Sequence, residues 1–180
     1  SGPMYWGLEV EPGRVYVTYE FMRAANFGYG SPVFTEAGSL IWVNKSGKRF
    51  HNETIEIGTL RHGYANREEW LKVDSDTAEF TNIPAFQIFD HKVFQAGPAL
   101  TTLNSRTPKW SADNIAELEN GWIIKADTIE ELAEKCAFAA DSGAYRGGSI
   151  DPEALAQTVR DYNAACAAGV DEELGREDFL

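Results

Sequence analysis

The stretch Leu40-Ile41-Trp42-Val43-Asn44-Lys45-Ser46-Gly47-Lys48-Arg49-Phe50-His51-Asn52-Glu53 decides the fold. An apolar, β-branched run stops at Asn-Lys-Ser-Gly-Lys and resumes at Arg49-Phe50, which reads as two short strands joined by a turn. Gly47 can take the positive φ that such turns require. Arg49, on the second strand, is expected to pair with Glu53 or Glu36 and so fix the hairpin. Asn52 can accept hydrogen bonds from free backbone N–H groups, so a short helix is expected to start there.

Upstream, residues 1–13 are rich in Gly and Pro and read as an irregular arm packed by Tyr5 and Trp6. Residues 14–20 alternate aliphatic and aromatic side chains as a strand does, with a helix through Phe21 and Met22 as the alternative. The cluster Gly28-Tyr29-Gly30-Ser31-Pro32 is expected to break regular structure, and its Gly-x-Gly lacks the third Gly of a dinucleotide fingerprint. Downstream, a helix is expected over 66–73 and a buried strand over 85–90. Asp90 should cap a helical turn from His91 to Phe94, and 96–110 should form a surface loop or partner-facing flap.

Ser111 is expected to cap a short helix that stops near Gly121, followed by a strand at 122–125. Asp127 or Thr128 with Glu130 or Glu131 forms a capping box, and Ile129, Leu132, Ala133, Cys136 and Ala140 make one buried stripe. Residues 143–148 read as a flexible connector. Asp151-Pro152 opens the last helix, with Leu155, Val159, Tyr162 and Cys166 as its apolar stripe and Gly169 as its stop. The elements do not alternate regularly, so the fold class is α+β, with short β-hairpins packed against several helices.

Composition narrows the functions. The chain has 180 residues, enough for one sizeable core, and a formal charge of -12, which argues against a nucleic-acid partner. The acidic runs 113–119, 127–134 and 171–178 read as solvated helix faces. No apolar run is long enough for a membrane span. Cys136 and Cys166 fall on apolar helix faces, and His51, His62 and His91 are scattered among loops, so neither metal-type nor redox-type spacing is present.

Several quoted pieces together resemble a known family. The pattern VN-x-x-G-K-R-F-x-N-E, with Thr35-Glu36-Ala37 before it, is similar to the substrate-capping domain of the FAD-dependent fumarate reductase and succinate dehydrogenase flavoprotein superfamily, including urocanate reductases and 3-ketosteroid dehydrogenases. Gln87-Ile88-Phe89-Asp90, Ile124 through Ala133, Thr158-Val159-Arg160-Asp161-Tyr162-Asn163, and Gly169-Val170-Asp171 through Gly175-Arg176 follow in the family's order. The resemblance implies that residues 1–180 are a capping domain excised from a larger flavoprotein whose own FAD-binding domain holds the FAD. The isolated chain is then expected to be inactive and to bind no cofactor. Its partners would be that domain and a small-molecule substrate, and an export signal could lie in the missing part.

The implied chemistry is hydride transfer between flavin and a C=C bond of an organic acid or enone. Thr35 and Glu36 match a pair that contacts a substrate carboxylate in the family. Ser39 stands about where the family has a relay arginine, and Ile57 stands at its proton-donor position. Isoleucine cannot transfer a proton, so Arg61, one helical turn further on, is the candidate donor, with His62 and Tyr64 near it. An aromatic set, Tyr16, Tyr19, Phe21, Phe27, Tyr29 and Phe34, supplies core area or lines an apolar pocket. The alternative reading is a free-standing binding or protein-interaction module that reuses the cap fold.

Overall fold

The computed structural model describes residues 15–18, 30–32, 40–53, 69, 72–98, 100–102, 111–140 and 145–176. In chain order the elements are β1 (Val15–Thr18), β2 (Gly30–Pro32), β3 (Leu40–Asn44), β4 (Ala85–Asp90), α1 (His91–Ala96), β5 (Leu100–Thr102), α2 (Ile115–Glu119), β6 (Ile123–Ala126), α3 (Ile129–Lys135), β7 (Ala137–Phe138), β8 (Gly148–Ser149) and α4 (Pro152–Ala168). Helices and small antiparallel sheets mix as an α+β fold requires.

The main sheet has the order β3-β4-β1-β6, antiparallel throughout, with Ile41 opposite Ile88, Val17 opposite Ile88 and Val17 opposite Ile124. Every residue of β3 and β4 is buried. Side chains alternate between the two faces of a strand, so a strand buried throughout must be covered on both sides. On one face Ile41, Val43, Phe86 and Ile88 pack with Leu132 and Ala133 of α3 and Leu155, Val159 and Tyr162 of α4. On the other, Leu40, Phe89 and Ile123 pack with Val93 of α1, and Phe94 and Leu118 lie against them. The uninterrupted apolar runs Leu40–Val43 and Ala85–Phe86 follow from this double cover.

Helix ends match their capping chemistry. Asp90 accepts from the N–H groups of Lys92 and Val93. Thr128 accepts from Glu131 N–H, while Glu131 returns a bond to Asp127 N–H. Asp151 accepts from Ala154 N–H ahead of Pro152, and Gly169 closes α4 at φ 68°.

Other expectations are corrected. The Gly-Pro cluster does not break all structure, because Gly30–Pro32 pairs with Leu100–Thr102, inside the segment expected to be a flap. A three-residue ladder needs only backbone groups, and Pro32 sits at its end where a missing N–H costs least. Val73 does not continue a helix but bridges Phe80, around a turn where Asp74 accepts from Asp76, Thr77 and the Thr77 hydroxyl. Ser111 does not cap α2; its N–H and hydroxyl donate to buried Glu117, and Asn114 takes the cap position in the left-handed region. The Asn114 amide donates to the carbonyls of Phe94 and Gly97, tying α2 to the end of α1. His91 opens α1, as the helical turn expected from His91 to Phe94 requires, so of the histidines grouped among loops this one is helical.

Helix α3 ends at Lys135, so Ala140 is exposed and outside the stripe. Gly148, expected in a flexible connector, instead pairs with Phe138, and a Cβ at Gly147 would meet Ala140 N at 2.9 Å. The acidic residues are not uniformly solvated either: Glu117 and Asp171 are buried with partners, and 171–174 is a turn rather than a helix.

Candidate functional site: a buried charge joint between the hairpin and the last turn

The hairpin is real but shorter than its sequence suggests. Asn44 N–H donates to Lys48 O and Gly47 N–H to Asn44 O, both at 2.9 Å, while Asn44 Oδ1 accepts from the N–H groups of Ser46 and Lys48. The return strand is reduced to one bridge, Val43 with Arg49. In that register Trp42 N–H would next meet the carbonyl of Phe50, but it donates instead to Glu53 Oε1 at 3.0 Å. A carboxylate thus stands where the second strand would continue, and the ladder stops.

Gly47 does more than turn the chain. Its φ is 75°, and a Cβ there would lie 2.9 Å from Leu155 N, so the turn lies directly against the first turns of α4. Thr158 Oγ1 donates to Gly47 O at 2.7 Å and locks that approach.

Arg49 then points inward. Its Nε and Nη2 donate to Glu53 Oε1 and Oε2 at 3.0 and 2.7 Å, a two-pronged pair, and its Nη1 lies 2.7 Å from Asp171. Arg176 adds a second cation: Nη1 donates to Leu40 O at 2.9 Å and to Glu53 Oε2 at 3.3 Å. Both guanidinium carbons lie over Tyr162, 5.0 and 5.5 Å from its ring centroid. Asp171 holds the last turn together by accepting from the N–H groups of Glu173, Leu174 and Arg176, and the Asn52 amide donates to Leu174 O.

Two cations and two carboxylates are therefore shut away with their partners in place. Burial works against the charge on Arg49, but the hydrogen bonds and charge of Glu53, then of Asp171, outweigh it and raise its pKa. Burial likewise opposes ionisation of Asp171, and the Arg49 charge and hydrogen bond, with the turn's N–H groups, hold it below the usual carboxylate range. Burial pushes the Tyr162 hydroxyl up and the Cys136 thiol up to about 12, so neither is a ready proton source or nucleophile. Arg49, Glu53 and Arg176 are 5, 0 and 1% exposed, too little for direct contact with a substrate lying between this chain and another surface.

The expected pairing of Arg49 with Glu53 is present. Sequence reasoning missed Asp171, Arg176 and Tyr162 as its partners, although all three sit in the last two quoted pieces, with Gly175 marking a turn between the charges. Thr35, Glu36, Ser39, Ile57, Arg61, His62, Tyr64 and the side chains of the aromatic set lie outside the described residues. At His51, Nδ1 lies 2.9 Å from Glu69 Oε2, and Asn82 donates to Glu69 O at 2.7 Å. A shallow cleft of about 400 Å³ runs beside the joint, lined by Asp161, Ala164, Ala168, Val170, Glu172 and Glu173 among others. Burial raises the pKa of Glu173 there.

Two glycine turns and the amino end of the longest described helix are closed to an FAD phosphate. Gly47 and Gly147 are packed against protein rather than open to a phosphate, and the amino end of α4, the long helix, is closed by the Asp151 carboxylate. Among the described residues no His, Cys, Asp and Glu cluster has metal-site geometry, and no helix is long and apolar enough to cross a membrane.

Comparison with known proteins gives partial matches. Over 148 residues the chain is 32% identical to a 3-oxosteroid 1-dehydrogenase of Mycolicibacterium smegmatis, a match covering 77% of this chain and 21% of that protein. A 3-oxosteroid 1-dehydrogenase of Mycobacterium tuberculosis matches at 32% over 145 residues with the same coverage. An NADH:acrylate oxidoreductase of Vibrio harveyi is 26% identical over 141 residues, covering 78% of this chain and 11% of that protein. The chain thus spans about one fifth or less of the length of these relatives. No family model matches the chain, and no solved structure matches it.

Proposed function

We propose that residues 1–180 are the substrate-capping domain of an FAD-dependent oxidoreductase that reduces or desaturates a C=C bond of an organic acid or enone. One observation carries this reading. Three of the separated sequence pieces that resemble the cap family meet at one joint: Gly47 against Thr158, and Arg49 and Glu53 against Tyr162, Asp171 and Arg176. Residues that resemble a family only by chance would not be expected to converge on one interlocked set of contacts.

The names of the partial relatives support the substrate class. Acrylate carries a C=C bond conjugated to a carboxylate, and dehydrogenation at position 1 of a 3-oxosteroid gives a C=C bond conjugated to the ketone. Both are α,β-unsaturated carbonyl chemistry. FAD, held by another domain of the parent polypeptide, supplies the hydride donor or acceptor. This chain's task is to cover the substrate, exclude water and place polar groups, which strengthens the electrostatic contacts that polarise the carbonyl. Thr35 and Glu36 are the proposed substrate contacts and Arg61 the proposed proton donor, with Ile57 at the family's donor position.

Flavin uptake tests the division of labour. This chain incubated with FAD and then desalted should retain no stoichiometric flavin absorbance, whereas the polypeptide that includes its flanking sequence should purify yellow. Stoichiometric flavin on this chain alone would count against a cap.

A further inference from the structure

The cleft beside the charge joint has a chemistry of its own. Part of its lining is small and apolar, Ala164, Ala165 and Ala168 of α4, and Val170 next to them is 55% exposed. The rest is acidic. Asp161, Glu172 and Glu173 line it with their surfaces exposed, and among the described residues none of these three carboxylates is in an ion pair. Arg49, the cation among the described lining residues, is already engaged by Glu53 and Asp171. Asp161 takes only a neutral donor, the Gln157 amide, at 2.7 Å. Burial, joined by the charges of Asp171, Asp161 and Glu53, raises the pKa of Glu173 against the opposing charge of Arg49, the sign of a place short of positive charge. A second observation is independent of these carboxylates. The Tyr162 hydroxyl, buried in the same lining, meets no nitrogen or oxygen partner among the described residues, and the neighbouring Cys166 thiol is a weak one.

We propose that this cleft binds a primary alkylammonium group, with its short apolar stem on the alanines and its charge among Asp161, Glu172, Glu173 and the Tyr162 hydroxyl oxygen. An ammonium carries three N–H donors and no acceptor, which matches a lining that offers acceptors in excess of donors. The cleft's volume of about 400 Å³ suits one alkylamine or one lysine side chain. An anion would meet the unpaired carboxylates and be repelled. The site uses none of the proposed substrate contacts and does not depend on the capping reading.

The test titrates the chain with n-butylammonium chloride and follows the backbone amide NMR signals of Ala164, Ala165 and Ala168. Sodium chloride at the same ionic strength and n-butanol at the same concentration are the controls. The ammonium should move these signals saturably, and neither control should. In the double variant Glu172→Gln with Glu173→Gln, affinity should fall about 2- to 5-fold for each carboxylate removed. Tyr162→Phe takes away a hydroxyl that the fold does not use, so it should fold as the wild type does and bind about 5-fold more weakly. A lysine blocked at both backbone ends distinguishes the sources: tighter binding than n-butylammonium assigns the cleft to a lysine side chain of a polypeptide, and weaker binding assigns it to a free alkylamine. Signals that do not move, that either control moves equally, or that titrate with wild-type affinity in the double variant overturn the site.

Discussion

Strand β3 serves two regions built on opposite physical terms. Ile41 and Val43 lie in an apolar layer beneath α3 and α4, where contacts are numerous and non-directional. At the same strand, Trp42 N–H and Leu40 O feed a charge joint built of a few directional contacts. An apolar layer tolerates exchange of side chains of similar volume, whereas a buried ion network fails as soon as one member is left alone. The layer supplies stability; the joint specifies how the hairpin sits against the last turn.

That contrast can be broken first at Arg176. Arg176→Met should leave Glu53 and Leu40 O short of donors and destabilise the chain by about 3–5 kcal/mol in urea unfolding. A loss under about 1 kcal/mol would mean that the network relaxes freely. In the apolar layer, Leu155→Ala should cost about 3 kcal/mol by the same measurement, through lost transfer energy and the cavity left behind. At the boundary between the regions, Gly47→Ala combines an unfavourable φ with a close approach to Leu155 N. It should cost about 2 kcal/mol, and a neutral result would show that the turn can withdraw from α4.

The smallest effect depends on pH. The folded pKa of Asp171 lies below its unfolded value, so its contribution is fully present above the ordinary carboxylate pKa of about 4 and is lost as pH falls through the lowered folded value. The stability gap between wild type and Asp171→Asn should therefore be widest near neutrality and narrow below about pH 4. A gap independent of pH would place the stabilising charge elsewhere.

How legible each region was follows from the range of the forces that build it. Strands β3 and β4, the Thr128 and Asp151 caps and the Leu155-Val159-Tyr162 stripe are local patterns, written within a few residues of where they act. The Arg49–Glu53 pair was readable for the same reason, being four residues apart. Asp171 and Arg176 were not, because a charge in an acidic run looks solvated until a distant Arg49 or Glu53 is known to face it. Asn114 was missed because its amide is held by the carbonyls of Phe94 and Gly97, far back in the chain. Gly30–Pro32 shows the opposite failure: a local breaker signal overridden by backbone pairing to Leu100–Thr102. The quoted motif thus marks scaffold residues of the joint, while Thr35, Glu36 and Arg61 rest on the family resemblance.

The capping role is tested most directly by mixing the purified flavin-containing parent polypeptide anaerobically with a 3-oxosteroid and, after chemical reduction, with acrylate or an enone, while following the visible flavin band. Bleaching by the saturated ketone, or reoxidation by the unsaturated acid or enone, is the expected result for at least one of them. A flavin band unmoved by every such compound, or a parent that carries no flavin, would contradict it.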